Sequence, residues 1–199
     1  YSETMNPRKA CAAARYLNSQ VEFVRVDLQA GEHKKAEFLR LNPNGRVPVL
    51  QDGDTTLWEA NAIMCRLSDE AGGDFWPHDG RQIDVLRWFS WDAQHFTTRH
   101  AGTLYFENLI KPALGLGAPD TAVVEFATSQ FRSAAAVLDA HLAQHRYLVG
   151  EALTVADFAT AVTLPYARQI HLPLGEFPAI QGWHARLNEL PAWREPFPR

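Results

Sequence analysis

Residues 44–50, NGRVPVL, begin like a β-strand and carry a fault at the centre. Val47, Val49 and Leu50 are good strand residues. Pro48 has no N–H for a sheet ladder and belongs at an edge, a bulge or a turn. An X-Pro bond reaches the cis form at a cost of about 0.5–1 kcal/mol, far less than other peptide bonds require. A cis Val47–Pro48 bond would stop the ladder and leave the Val47 N–H and C=O facing outward, where the backbone of a peptide-like ligand can pair with them.

The flanking sequence gives this turn a setting. Downstream, VPVLQ and TTLW enclose DGD, a strong hairpin pattern. From Glu59, EANAIMCRLSDEAG reads as a helix, with Ile63 and Leu67 at i, i+4 and Gly72-Gly73 as its stop. Upstream, a short helix is predicted from His33 to Leu41, ending before NPNG. VEFVRVDL (21–28) alternates, with Val24, Val26 and Leu28 on one face, and predicts a strand. Residues 7–19 are rich in helix formers behind an initial proline. The order helix, strand, helix, hairpin, helix is part of an α/β unit without its opening strand. The expectation is that a few residues ahead of Tyr1 complete a central strand.

GGDFWPHDG (72–80) is the best domain boundary, and no strand pattern recurs beyond it. Long helices are predicted over 82–111 and 119–145, with GLGAPD between them. A third starts at Thr154, where Thr154 and Asp157 fit a capping box and Leu153 and Phe158 a hydrophobic staple. A last helix covers Pro178 to Leu190. The division is an α/β domain over 1–73, a linker over 74–81 and an all-α domain over 82–199.

Composition narrows the function. The chain has 199 residues, 46% of them hydrophobic, enough for one good core or two small ones. A net charge of −4, without any long Lys/Arg run, gives no footprint for nucleic acid or an anionic membrane. No apolar stretch approaches membrane-spanning length. Cys11 and Cys65 make neither a CxxC pair nor a disulfide framework, which fits a reducing cytoplasm.

Most candidate chemistry is weak. His141 and His145 are spaced i, i+4 as metal ligands can be, but no third ligand accompanies them, and no metal is expected. GLG at 115–117 follows no strand, and Ser90, Asp92 and His95 lack a nucleophile elbow. The aromatics around Trp88, Phe89, Trp91 and Phe96 read as helix packing. The first domain is more informative: TMNPRK opens its first helix, VP opens a strand, and WEAN opens another helix whose free N–H groups suit a carboxylate.

NPNGRVPVL with LWEANAI, GEHKKAEFL and LTVADF, in that order, resemble the cytosolic glutathione transferase family across nearly the whole chain. The resemblance implies a thioredoxin-like N-terminal domain followed by a helical bundle, a homodimer, and glutathione as co-substrate. Val47 with cis-Pro48 would pair with the cysteinyl backbone of glutathione. Glu59 would meet its γ-glutamyl end, and His33 and Lys34 its glycine carboxylate. The thiol-activating position falls at Thr4, with Asn6 two residues on, a T-x-N spacing that looks like bacterial members of the family. Donors aimed at the sulfur favour the thiolate, the reactive form. Phe96, Arg99 and Tyr105 are the acceptor-site candidates. One departure stands out: the family's usual Glu/Gln-Ser pair is Glu59-Ala60 here, so a hydroxyl for the γ-glutamyl carboxylate is missing. The implied reaction is transfer of glutathione to a small electrophile. A disulfide reductase or peroxidase and a non-catalytic binding module are the alternatives on the same fold. Asp157 is expected to be structural.

Overall fold

Alanine-rich sequence at 10–14 lets two helices approach one face of a hairpin closely, and this contact organises the first unit. The computed structural model describes residues 1–198. It divides into two compact units, Tyr1–His78 with the C-terminal residues from Glu189 on, and Asp79–Asn188. The predicted helical domain ran from 82 to the end; the structure instead groups the last residues with the first unit. The short helix Pro191–Arg194 there buries Trp193 completely. The Trp193 carbonyl accepts from Arg8 Nη2, and the Arg8 guanidinium lies 5.1 Å from the indole centre.

Within the first unit, α1 (Met5–Tyr16) starts at an extended Thr4. It ends in a Schellman motif with Asn18 at φ 53°, Ser19 N–H bonding to Ala14 O and Asn18 N–H to Arg15 O. The predicted strand over 21–28 does not form. A strand needs a partner, and the ladder contacts of this segment are with Tyr1: its ammonium donates to Val24 O (2.7 Å) and its carbonyl accepts from Val26 N–H (2.6 Å). The helix predicted from His33 is split in two. A 3₁₀ turn covers Glu32–Lys34, Lys35 is extended (ψ 150°), and α2 covers Ala36–Leu41.

The hairpin is as predicted. β1 (Val49–Asp52) and β2 (Thr55–Trp58) pair antiparallel, from Val49 opposite Trp58 to Asp52 opposite Thr55, around Gly53 at φ 55°. The Val47–Pro48 bond is cis, and β1 begins at the next residue. Then α3 (Ala60–Ala71) closes on Gly72 at φ 67°. Ala10 and Ala14 of α1 pack with Ile63 and Leu67 of α3, and Leu50 and Leu57 of the hairpin lie against them. The α3 pair is the one its spacing predicts.

The second unit opens with a helical rod: α4 (Arg81–Trp91), a π-helical stretch Asp92–Ala101, α5 (Gly102–Tyr105), a second π stretch Phe106–Ile110, and α6 (Lys111–Ala113). Bonds of the i→i+5 type are rare, and periodicity alone predicted an ordinary helix here. Asp120 caps α7 (Thr121–Leu142) by accepting from Ala122 and Val123 N–H. After it come α8 (Val155–Thr160) and α9 (Pro178–Asn188). Phe96, Phe131, Phe158 and Trp183 are fully buried. Asp157 sits among them in the predicted capping box, also accepting from Trp183 Nε1 (3.0 Å) and Leu148 N–H (3.0 Å). Among the described residues no helix is long and apolar enough to cross a membrane.

Candidate glutathione site

Hairpin register brings two pairs of the predicted site residues to one end of the hairpin. Val49 faces Trp58, so Val47-Pro48, just before β1, and Glu59-Ala60, just after β2, leave the hairpin side by side. Among the described residues the Val47 N–H and C=O have no hydrogen-bond partner. Neighbouring Asn42 fixes the approach, donating from Nδ2 to Arg46 O (2.7 Å) and accepting from Asn44 N–H (3.0 Å). Gly45 (φ 57°) is required twice over: a Cβ there would sit 3.0 Å from His33 O and 3.1 Å from Leu39 Cδ2. That closeness seats the His33–Lys34 turn beside residues 45–47, with Lys34 Nζ donating to Gly45 O (3.3 Å). His33 Nδ1 is buried without a hydrogen-bond partner.

On the other side of the hairpin end, Glu59 is exposed and holds φ 72°, ψ 114°, a conformation non-glycine residues rarely adopt. It begins α3 without a side-chain cap, so the Ala60 and Asn61 N–H groups carry the helix's partial positive charge. Lys9, 5% exposed on α1, donates to Asn61 Oδ1 (3.4 Å) and ties the start of α3 to α1.

One turn earlier on α1 lies Thr4. It occupies the N-cap position, yet its hydroxyl does not cap the helix. Thr4 Oγ1 instead lies 3.1 Å from Ser2 Oγ, and Ser2 is 5% exposed. Asn6, on the first turn, is exposed. Ser2 is a partner that the sequence reading did not name: its contact with Thr4 is visible only with both residues in place. Neither cysteine competes for the site. Burial pushes the Cys11 thiol up to about 11 and the Cys65 thiol up to about 12.

The second-unit candidates do not converge. Phe96 is wholly buried, stacked on Trp91 (5.6 Å) and tilted against Phe131 (5.1 Å). Tyr105 is 7% exposed against Tyr166, and burial raises its phenol to about 12. Arg99 is exposed and lines a cavity. His141 and His145 stack at 4.2 Å with ring nitrogens turned to main-chain carbonyls, His141 Nε2 to Leu148 O (3.1 Å) and His145 Nδ1 to His141 O (3.0 Å).

The thioredoxin-like scaffold thus presents a cis X-Pro turn at a hairpin end beside one helix N-terminus, and a hydroxyl that does not cap the helix at another. Comparison with known proteins agrees. Residues 1–67 match the glutathione S-transferase N-terminal domain, and residues 121–199 the glutathione S-transferase C-terminal domain. The chain is 35% identical to glutathione S-transferase 3 of Zea mays over 181 residues, 87% of this chain and 80% of that protein. Among solved structures it resembles glutathione transferase URE2P6 from Phanerochaete chrysosporium in complex with oxidized glutathione (TM-score 0.85, 29% identity, covering 98% of this chain and 92% of that one). It also resembles glutathione S-transferase I from mais in complex with an atrazine glutathione conjugate (TM-score 0.87, 27% identity, covering 97% and 92%). The chain belongs to the glutathione S-transferase family, and it is a glutathione-dependent transferase.

Proposed function

We propose that this chain activates the glutathione thiol with Thr4 and holds the tripeptide along the hairpin end. The observation that carries the reading is the Thr4 hydroxyl, which stands at the N-terminus of α1 but is not used to cap it. With Ser2 Oγ–H donating to Thr4 Oγ1, the Thr4 proton is free to point at a sulfur. Asn6 on the same turn supplies a second donor. The cysteinyl main chain pairs with Val47. The γ-glutamyl carboxylate takes the Ala60 N–H at the start of α3, and the Glu59 carboxylate takes the ammonium. The His33–Lys34 turn serves the glycine carboxylate.

Ionisation releases the thiol proton to solvent. The thiolate then attacks an electrophilic carbon, the C–S bond forms, and the leaving group departs with its electron pair. We place the reaction in the cytoplasm, where both cysteines stay reduced. We also propose a homodimer, in which a second copy would cover the exposed Ile83 and Leu86 of α4 and Val137 of α7.

The test is the pH–rate profile for conjugation of a generic aryl halide. A hydrogen bond to a charged group contributes about 1.5–3 kcal/mol, so Thr4→Val should raise the apparent pKa of bound glutathione by about 1–2 units. Below that pKa the rate should fall in proportion. Ser2→Ala, which removes only the supporting donor, should move the profile less. A wild-type profile in both Thr4→Val and Asn6→Ala would overturn the assignment.

A further inference from the structure

Asn44-Gly45 is the chain's single Asn-Gly pair, a dipeptide with a chemistry of its own. Glycine puts no Cβ in the way, so its main-chain nitrogen can reach the side-chain carbonyl carbon of the asparagine before it. In that reaction the Gly45 nitrogen bonds to Asn44 Cγ, the amide nitrogen leaves as ammonia with the Gly45 proton, and a cyclic succinimide remains. Water then opens the ring at either carbonyl. The product is aspartate, or isoaspartate with an extra carbon in the main chain.

The folded turn holds the reacting atoms apart. Pro43 and Asn44 are its central residues, and the attacking nitrogen is already in use, because Gly45 N–H donates to Asn42 O (2.9 Å). Asn42 Oδ1 accepts from Asn44 N–H (3.0 Å) and from Asn44 Nδ2 (3.0 Å), which fixes the carboxamide. Asn42 is 3% exposed and is anchored in turn by Nδ2 donating to Arg46 O (2.7 Å). Asn44 is exposed, so water reaches it as soon as the turn opens. The pair cannot be made safe at Gly45: φ is 57°, and a Cβ would sit 3.0 Å from His33 O. The turn therefore carries a labile pair as a condition of its shape.

We propose that Asn44 is a deamidation site held in check by Asn42, and that its conversion retires the glutathione site. Isoaspartate at 44 lengthens the main chain just ahead of Val47 and breaks the bonds that join Asn42, Asn44 and Gly45. Either product also places a carboxylate beside the Lys34 Nζ–Gly45 O contact (3.3 Å), where it competes for the cation assigned to the glycine carboxylate. The loss of glutathione rests on the roles proposed above for Val47 and Lys34, whereas the lability of Asn44 does not.

The test is incubation of the full chain at mildly alkaline pH, native and in urea, with products mapped by peptide mass spectrometry and isoaspartate counted by enzymatic methylation. The comparison in urea needs no variant: native wild type should convert at Asn44 about tenfold more slowly than unfolded wild type, or slower still. Native Asn42→Ala should convert about tenfold faster than native wild type, because both bonds from Asn44 to the Asn42 side chain are lost. Converted protein, separated by charge, should lose glutathione affinity in calorimetry, while Asn44→Gln incubated in the same way keeps it. Equal rates in native and unfolded wild type, or no acceleration in Asn42→Ala, would overturn the check by Asn42. No conversion at Asn44 in urea would overturn the deamidation site. Conversion that leaves glutathione affinity intact would overturn the retirement, whereas unconverted protein that fails to bind glutathione would refute the reading of the site itself.

Discussion

Removing the Asp157 carboxylate should destabilise the second unit by an amount that depends on pH in a specific direction. Oδ1 accepts from Leu148 N–H (3.0 Å) and Trp183 Nε1–H (3.0 Å), and Oδ2 from Thr154 N–H (2.9 Å) and Thr154 Oγ1–H (3.1 Å). Asp157→Ala leaves three of these donors, all N–H groups, without their acceptor in the core. At about 1–3 kcal/mol for each orphaned group, the gross cost is about 3–9 kcal/mol. An opposing effect reduces it: burial raises the carboxyl from 3.8 to about 6 despite the four donors, so the wild type holds an incompletely compensated charge at neutral pH. That rise corresponds to about 3 kcal/mol. The folded value lies above the unfolded one, so the stabilisation from protonation is fully present below about pH 4 and is lost as pH rises through 6. Asp157→Ala should therefore be less stable than wild type by about 3 kcal/mol at pH 7, near 6–12 °C in Tm. The gap should widen by up to about 3 kcal/mol at pH 4. Urea denaturation of both proteins between pH 4 and 8, with the glutathione KM measured well below Tm, checks this. The KM should not move, because no glutathione contact is assigned to this side chain. An unchanged melting temperature, or a gap that narrows as pH falls, would refute the reasoning.

Two further outcomes are expected. Glu59 holds φ 72°, and relieving such a conformation gains about 1–3 kcal/mol against about 0.5–1 kcal/mol of added unfolded-state entropy for glycine. Glu59→Gly should thus equal or exceed wild type in urea stability while glutathione affinity falls; a Glu59→Ala variant as stable as Glu59→Gly would refute the strain. With thiols at about 11 and 12, Cys11 and Cys65 should react with an aromatic disulfide reagent at pH 7.5 roughly 10²–10³-fold more slowly than a free thiol. Rapid titration of either thiol in the native chain would count against that burial.

What the sequence disclosed follows from the range of the forces involved. The hairpin, the α3 stop at Gly72 and the Thr154–Asp157 capping box were legible because each is decided within a few residues by turn, cap or spacing rules. The strand over 21–28 was misread because alternation reports a preference for extended backbone, whereas a ladder requires a partner that lies far away in sequence. The 3₁₀ break at Lys35 and the π stretch after Trp91 were illegible for a related reason. Hydrophobic spacing tolerates one residue more or less per turn, and the choice at 92–101 is made by a side-chain pair, Asp92–Thr97, and by the missing Cβ of Gly102. Of the proposed site, Thr4, Val47 and Glu59 were nominated by resemblance, while Ser2 and Lys9 went unnamed because each works through a neighbour, Thr4 or Asn61.

The positions of the proposed site share one physical property: a polar group withheld from the secondary structure that would ordinarily use it. Val47 presents an N–H and C=O that β1 does not take, because pairing starts at Val49. Thr4 has the identity and position of an N-cap and leaves its hydroxyl for Ser2. Glu59 occupies a glycine-like conformation, which leaves the first N–H groups of α3 open. Each choice forgoes a local hydrogen bond or a relaxed backbone, at about 1 kcal/mol or more. Packing of α1 and α3 on the hairpin offsets those costs. A sequence that obeyed every propensity rule at these positions would fold more tightly and bind less. Pro48 marks the clearest instance: a residue out of place in a strand sits in a cis bond immediately before β1 and leaves the Val47 backbone outside the ladder.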